Sequence, residues 1–206
     1  MNRYNWYKAA GYSDLMRAVG FSNLRITYPE VTFDQFQSMT WREKQSLGWS
    51  GALTPEVQRL FFTGDYDGKD IALQSLARNH SITAEIQQLF FKENYNYNKD
   101  VLEALATNPS ITPQTQRMFF KPEYWVKGFH SFYYLAQNTS ITTETQILLF
   151  TEEYQDKNGV INYLKRNPSF LKGFTLQDLR AVAKAKEARY FIYGKRLKTI
   201  REKIKL

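Results

Sequence analysis

The chain has 206 residues, of which 43% are hydrophobic, 16% aromatic and 23% charged, a composition typical of a folded domain apart from its aromatic excess. It contains no cysteine, which excludes disulfides and thiolate metal sites. The formal net charge is +8, but ten lysines or arginines against three acidic residues lie between Thr175 and Leu206. The basic character therefore belongs to the C-terminal segment and not to the whole surface.

No apolar run approaches the roughly 18 residues that a membrane-spanning helix needs. The polar and aromatic N-terminal stretch also lacks the apolar core of a signal peptide. We therefore expect a soluble protein without a membrane span, located in the cytoplasm, or in the virion if the protein is viral.

Residues 1–52 are predicted to form a degenerate helical repeat that caps the N-terminal end of the fold. A short helix is expected to start at Thr32. Thr40 with Glu43 is the pattern of a capping box, which starts a second helix, and Gly48 is predicted to end that helix.

Four similar segments follow between residues 53 and 169, with steps of 29, 29 and 30 residues. Such a period is the signature of a repeat architecture. Four positions recur in every segment. A threonine column contains Thr54, Thr83, Thr112 and Thr142, a glutamine column Gln58, Gln87, Gln116 and Gln146, a phenylalanine column Phe62, Phe91, Phe120 and Phe150, and a tyrosine column Tyr66, Tyr95, Tyr124 and Tyr154.

These columns predict two short helices in each repeat. The threonine caps the first helix, and apolar residues three and four apart form one face of it. An asparagine ends the second helix, and we expect it to adopt the left-handed conformation of a helix C-cap. We expect the phenylalanine and tyrosine columns to lie in the core. We expect the glutamine side chains to form hydrogen bonds between neighbouring repeats. The asparagines are Asn79, Asn108, Asn138 and Asn167.

Two short helices cannot bury their apolar faces alone, so stacking of the units is expected to build an all-α solenoid. The recurring phrases "NHSIT", "NPSIT" and "NTSIT" resemble the leucine-rich repeat variant and short HEAT-like helical repeats, whose units often have Asn-Pro followed by an apolar residue and Thr-x-Glu. The resemblance covers residues 53–169 and implies an architecture, with little indication of a function.

Residues 170–206 are predicted to form a long basic helix from Thr175, or two helices broken near Gly194. Its apolar seam between residues 176 and 204 is expected to pack on the last repeat, on a partner or on a second copy. Its basic face is predicted either to be solvated or to contact an anionic partner such as nucleic acid. That predicted contact comprises Lys184, Lys186, Arg189, Lys195, Arg196, Lys198, Arg201 and Lys203.

Catalytic motifs are absent from the sequence, which has neither a phosphate-binding loop nor a metal-ligand spacing. We therefore predict no cofactor, no metal and a protein that is not an enzyme. HEAT-like alkylpurine DNA glycosylases place aromatic and acidic groups on a basic helical surface, but the resemblance to them is one of fold alone.

Function in repeat proteins usually resides where the repeats differ. The third and fourth repeats differ by their aromatic and basic residues, which are the types that dominate protein interfaces. We therefore predict a scaffold that binds another macromolecule, most readily a protein, with nucleic-acid binding as the alternative. The predicted partner-binding residues are Trp125, His130, Tyr133, Tyr134, Tyr163, Lys165 and Arg166.

Overall fold

The structure, a computed structural model, describes residues 31–51, 53–92, 99–121, 129–154 and 156–184. Within these residues there are eleven helices and no strand, which confirms the prediction of an all-α protein. None of the helices in this part of the chain is long and apolar enough to cross a membrane. The chain divides into two compact units between Leu89 and Phe90.

The N-terminal unit alternates short and longer helices, as the repeat pattern predicts. Its helices are α1 (Phe33–Ser38), α2 (Trp41–Trp49), α3 (Pro55–Leu60), α4 (Lys69–Ala77) and α5 (Ala84–Leu89). The second helices α2 and α4 pack on each other, and the first helices α3 and α5 are also in contact. Capping boxes at Thr32 and Thr40 start α1 and α2, which confirms both predicted helix starts.

The prediction that Gly48 ends the second helix is wrong, because α2 continues to Trp49. Gly48 lies where α2 meets α4. A Cβ atom on it would be 3.0 Å from both the backbone nitrogen of Leu76 and the Cβ of Ser75, which is closer than normal packing. The glycine therefore permits the close approach of two helices and does not terminate one.

A ring cluster forms the core of the N-terminal unit. The ring centroid of Phe36 lies 5.1 Å from that of Phe61 and 5.6 Å from that of Tyr66. Lys44 occupies the position that Leu73 has in the next repeat and is likewise buried. Its Nζ donates to the Met39 carbonyl at 2.6 Å and lies 4.8 Å from the Tyr66 ring centroid. Desolvation lowers the pKa of this ammonium group.

The C-terminal unit keeps the succession of first and second helices, but in its last repeat the two helices have nine and eight residues, so the alternation of short and longer helices ends there. Its helices are α6 (Lys99–Thr107), α7 (Pro113–Met118), α8 (Phe129–Gln137), α9 (Thr143–Thr151), α10 (Lys157–Leu164) and α11 (Leu176–Lys184). Helix α8 packs between α6 and α10, and α9 contacts α7, α8, α10 and α11. The Phe132 ring links this core, with centroid distances of 5.1 Å to Phe120 and 4.5 Å to Tyr154.

Helix α11 is the described part of the predicted C-terminal helix. It starts with a capping box in which the Thr175 backbone N–H donates to Asp178 at 2.7 Å and the Asp178 N–H donates to the Thr175 hydroxyl at 3.2 Å. Hydrogen bonds from the Thr175 hydroxyl and from the Thr175 backbone N–H to the Asp178 carboxylate hold the pKa of that carboxyl below its ordinary value. Residues 185–206, with Gly194 and most of the predicted seam, lie outside the described residues.

The asparagine column does not have the predicted conformation. The described residues other than glycine with positive φ are Asp156 and Leu171, so the expected left-handed asparagine cap is wrong. The asparagines are instead buried, and each side-chain oxygen accepts the backbone N–H of the serine two residues later at 2.8 Å. This turn leaves the amide nitrogen pointing away from its own helix end.

The asparagine amide nitrogens join consecutive repeats within each unit. Asn79 donates to the carbonyls of Gly48 at 2.8 Å and Ser50 at 2.7 Å. Asn138 does the same to Ala106 and Asn108, at 2.7 and 2.9 Å. Asn167 makes the same bonds one repeat later, donating to the carbonyls of Ala136 and Asn138 at 2.8 Å each. Each asparagine side chain therefore satisfies carbonyls at the end of the second helix of the preceding repeat, which have no partner within that helix.

The glutamine column forms the complementary set of bonds, as predicted. The buried Gln58 side chain donates to the Ser81 carbonyl at 3.0 Å and accepts the Thr83 N–H at 3.0 Å. Gln116 makes the corresponding bonds to Ser140 and Thr142, at 3.1 and 3.0 Å. Gln146 donates to Ser169 and accepts from Leu171, so the register persists to the end of the last repeat.

The aromatic columns are buried to different extents. Phe91, Phe120 and Phe150 are buried, whereas Phe62 is half-buried. Tyr66 and Tyr154 are half-buried too, and each hydroxyl donates to a backbone carbonyl, that of Phe61 at 3.0 Å or Leu149 at 2.7 Å. Tyr95 and Tyr124 lie outside the described residues.

Asn138→Ala tests the asparagine bonds. Without the amide, the Ala106 and Asn108 carbonyls lose a partner in a buried site, so the free energy of unfolding is expected to fall by about 2–3 kcal/mol. The neighbouring Thr139 side chain is exposed, and Thr139→Ala should change stability by less than about 0.5 kcal/mol. Denaturant unfolding of the full chain measures both, and equal stabilities of the two variants would contradict this role of Asn138.

Candidate functional site

The second helices of the last two repeats carry large residues where the earlier repeats carry small ones. Four residues before the repeat asparagine, Ser75 and Ala104 are buried. The corresponding residues on α8 and α10 are Tyr134 and Tyr163, which are 37% and 39% exposed. The change from small to large at this position brings aromatic rings to the surface of the C-terminal unit.

Four of the predicted partner-binding residues form a continuous chain of contacts. The Tyr133 and Tyr163 rings meet edge to face with centroids 5.1 Å apart, and His130 lies 6.2 Å from Tyr133 on the same helix. The guanidinium carbon of Arg166 lies 5.9 Å from the Tyr163 ring centroid. We call these four residues the aromatic–basic surface.

Tyr133 is held in place by a residue that the sequence pattern did not identify. Its hydroxyl donates to the carboxylate of Asp156, which precedes α10 and has a left-handed backbone with φ of 51°. The same two side chains occupy the space that a Cβ atom on Gly159 would need. The sequence signal for this arrangement is glycine at a position where earlier repeats have Ile71 and Asp100.

Tyr134 and Lys165 lie on the same two helices but outside this chain of contacts. Tyr134 makes no ring contact with a described residue, because it points to a different side of α8 from Tyr133. Lys165 replaces the buried alanines of earlier repeats. Its Nζ donates to the Asn162 side-chain oxygen at 3.3 Å, and partial burial lowers the pKa of its ammonium group.

Apart from Lys184, the remaining predicted residues lie in parts of the chain that the structure does not describe. Trp125 lies outside the described residues, as do Lys186, Arg189, Lys195, Arg196, Lys198, Arg201 and Lys203. Lys184 is the last residue of α11. The predicted anionic-partner contact therefore stays a prediction.

The residue types of this surface are ones that occur frequently at binding interfaces. Tyrosine and arginine provide large apolar area together with hydrogen-bond donors, and they are enriched among residues that dominate binding energies. Within the described ranges, no three His, Asp or Glu side chains come together in a group that could hold a metal ion.

Another exposed aromatic residue, which the sequence pattern did not identify as a candidate, lies in the N-terminal unit. Trp49 ends α2 and is 54% exposed. The guanidinium carbon of Arg78 lies 5.9 Å from its ring centroid. The signal that could have found this pair is positional, since Trp49 and Arg78 lie 29 residues apart, at the same point of consecutive repeats.

Comparison of the chain with protein-family models, with curated proteins and with solved structures finds no match. The resemblance to leucine-rich repeat variant and HEAT-like repeats therefore stays a prediction from the sequence pattern.

A double-mutant cycle with Tyr133→Phe and Asp156→Asn tests how the aromatic–basic surface is held. The hydroxyl–carboxylate bond is partly solvated, so we expect a coupling energy of about 1 kcal/mol. Tyr134→Phe is the matched control, because the Tyr134 hydroxyl bonds no described residue, and it should change stability by less than about 0.5 kcal/mol. Thermal or denaturant unfolding measures the stability of the unmodified chain, the two single variants, the double variant and the control. A coupling energy near zero would show that Asp156 does not position Tyr133.

Proposed function

We propose that the chain is a non-enzymatic helical-repeat scaffold that binds another macromolecule, most readily a protein, through the aromatic–basic surface. The observation that carries this proposal is the exposed Tyr163 ring, which lies between Arg166 and a Tyr133 ring fixed by Asp156. The scaffold would serve as an adaptor, as an inhibitor of another protein or as a structural part of a larger assembly, including a viral one.

The rigidity of this surface supports binding. Contacts on both sides restrict the rotamers of Tyr133 and Tyr163 before any partner arrives. Side chains that are already ordered lose less conformational entropy on association. Arg166 forms no ion pair with a described residue, so its charge is available to an acidic group of a partner.

An α-solenoid with a capped end is the architecture that we propose for this scaffold. Its support is the asparagine and glutamine bonds, which recur in one register within each unit. On α8, Tyr133 contacts the next second helix, whereas the same position of α10 holds the exposed Asn162. A polar outer face is typical of the terminal repeat of a solenoid. The proposed parts are the cap 1–52, the repeats 53–169 and the basic segment 170–206.

Tyr163→Ala combined with Arg166→Ala tests the proposed surface. Loss of a central aromatic residue and its arginine should weaken partner capture at least about tenfold. The measurement is affinity purification with the full chain from the native source, with and without nuclease, quantified by mass spectrometry. Thr107→Ala is the control. Thr107 is exposed and lies on α6 at the repeat position that Arg166 occupies in the last repeat.

The expected result is a set of proteins that survives nuclease treatment, is retained by Thr107→Ala and is lost by the double variant. Equal capture by all three forms would contradict the proposed surface. Capture that vanishes with nuclease would contradict a protein partner. Unchanged unfolding midpoints of the variants would show that the loss is not due to unfolding.

Nucleic-acid binding by the C-terminal segment is the second candidate function. It is favoured by the ten basic residues against three acidic ones between Thr175 and Leu206. Binding of this kind releases counterions, so the affinity for an oligonucleotide should fall steeply as the salt concentration rises.

Fluorescence anisotropy with single- and double-stranded oligonucleotides at two salt concentrations measures this affinity. Replacing the eight predicted lysines and arginines by glutamine should abolish binding, whereas Lys121→Gln should leave it unchanged, because Lys121 is an exposed cation outside the segment. Absence of binding by the unmodified chain at low salt would remove this candidate.

A further inference from the structure

The exposed Trp49 and the half-buried Arg78 form a pair whose position is set by the hydrogen bonds between repeats around it. Trp49 lies between Gly48 and Ser50, whose carbonyls both accept the Asn79 amide. Arg78 directly precedes Asn79. The two residues therefore occupy the same repeat position on α2 and α4, and the bonds that join the two helices hold the indole and the guanidinium at one edge of the unit.

The contacts among the described residues of the N-terminal unit leave the Trp49 ring and the Arg78 charge open to a ligand. Trp49 is the most exposed of the large hydrophobic residues in the described part of the chain. Arg78 forms no ion pair with a described residue. Two residues after Trp49, Gly51 has no atom within 4 Å of the position of a Cβ, so the backbone beside the indole is not covered.

The C-terminal unit also carries an arginine over an aromatic ring, but there the ring belongs to Tyr163, which precedes Arg166 by three residues in the same repeat. Arg166 directly precedes Asn167, as Arg78 precedes Asn79. Both guanidinium carbons lie 5.9 Å from the centroid of an exposed aromatic ring. A single exposed aromatic residue is common on protein surfaces, but here an arginine at one repeat position lies over an exposed ring in both units, although the ring comes from the preceding repeat at Arg78 and from the same repeat at Arg166.

We infer that Trp49 and Arg78 form a second binding site, which takes an acidic segment of a protein partner that also carries an aromatic or large apolar side chain. A carboxylate would accept a pair of hydrogen bonds from the Arg78 guanidinium. The apolar side chain would lie on the indole and remove it from water. The inference rests on the proposed function for the kind of partner, and it adds a site and a ligand chemistry.

The charge of the N-terminal unit favours a peptide over a nucleic acid here. Its described residues include seven acidic side chains against five basic ones. A polynucleotide carries a phosphate at every step and needs several cations along its path. One or two carboxylates need only a local cation, which Arg78 provides.

Selection from a displayed library of random linear peptides tests this site. The bait is the full chain with Arg166→Gln, so that the aromatic–basic surface is weakened and selection reports on the N-terminal unit. The expected clones combine Asp or Glu with an aromatic residue and lose affinity by about tenfold or more when the bait also carries Trp49→Ser or Arg78→Gln. Arg42→Gln is the matched control and should have no effect, because Arg42 also lies over a tryptophan, at 5.1 Å from Trp41, but outside the proposed site.

Three outcomes would overturn the inference. They are clones that depend on neither Trp49 nor Arg78, clones rich in basic residues, and displacement of the selected clones by a single-stranded oligonucleotide. A failed selection together with retained, Tyr163-dependent partner capture would reject this second site and leave the proposed function standing. Matching circular dichroism melting curves for all baits would exclude unfolding as the cause of lost binding.

Discussion

The structure depends on buried side-chain amides that form hydrogen bonds with the backbone of the neighbouring repeat. Each helix of eight or nine residues ends with carbonyl groups that have no partner in its own helix. Asn79, Asn138 and Asn167 donate to such carbonyls of the preceding repeat, and Gln58, Gln116 and Gln146 bond the backbone of the following one. An apolar face could slide against its neighbour, whereas an amide with defined donors and acceptors permits one register.

This constraint explains why the repeats tolerate change at some positions and not at others. The hydrogen bonds of the asparagine and glutamine side chains, together with buried leucines such as Leu73, keep the distance between neighbouring repeats constant. Other positions can then change size, from Gly48 at a close approach of two helices to Tyr163 at an exposed surface. Aromatic residues that would disturb a short isolated helix are accepted, because the neighbouring unit holds the backbone in place.

The distribution of charge separates two kinds of binding. The described residues of the N-terminal unit have a small excess of acidic groups, whereas the strongly basic segment begins at Thr175. Arginines over exposed aromatic rings, as at Trp49 and Tyr163, suit local contacts with a carboxylate. A continuous basic segment suits a polyanion. The two properties lie in different parts of the chain, so they can be tested independently.

The sequence by itself determined the all-α class, the period, the threonine helix starts and the glutamine bonds, because each of these follows from a local pattern that recurs in the chain. It led to the wrong role for Asn138 and its equivalents, since a helix-ending asparagine has the same local signature whether its backbone is left-handed or its amide bonds another repeat. Gly48 was misassigned for the same reason, as a glycine near a helix end does not reveal the helix packed against it. Only the tertiary structure placed Asp156 on Tyr133 and Arg78 over Trp49, because those pairs join residues 23 and 29 positions apart whose contact depends on how consecutive helices stack.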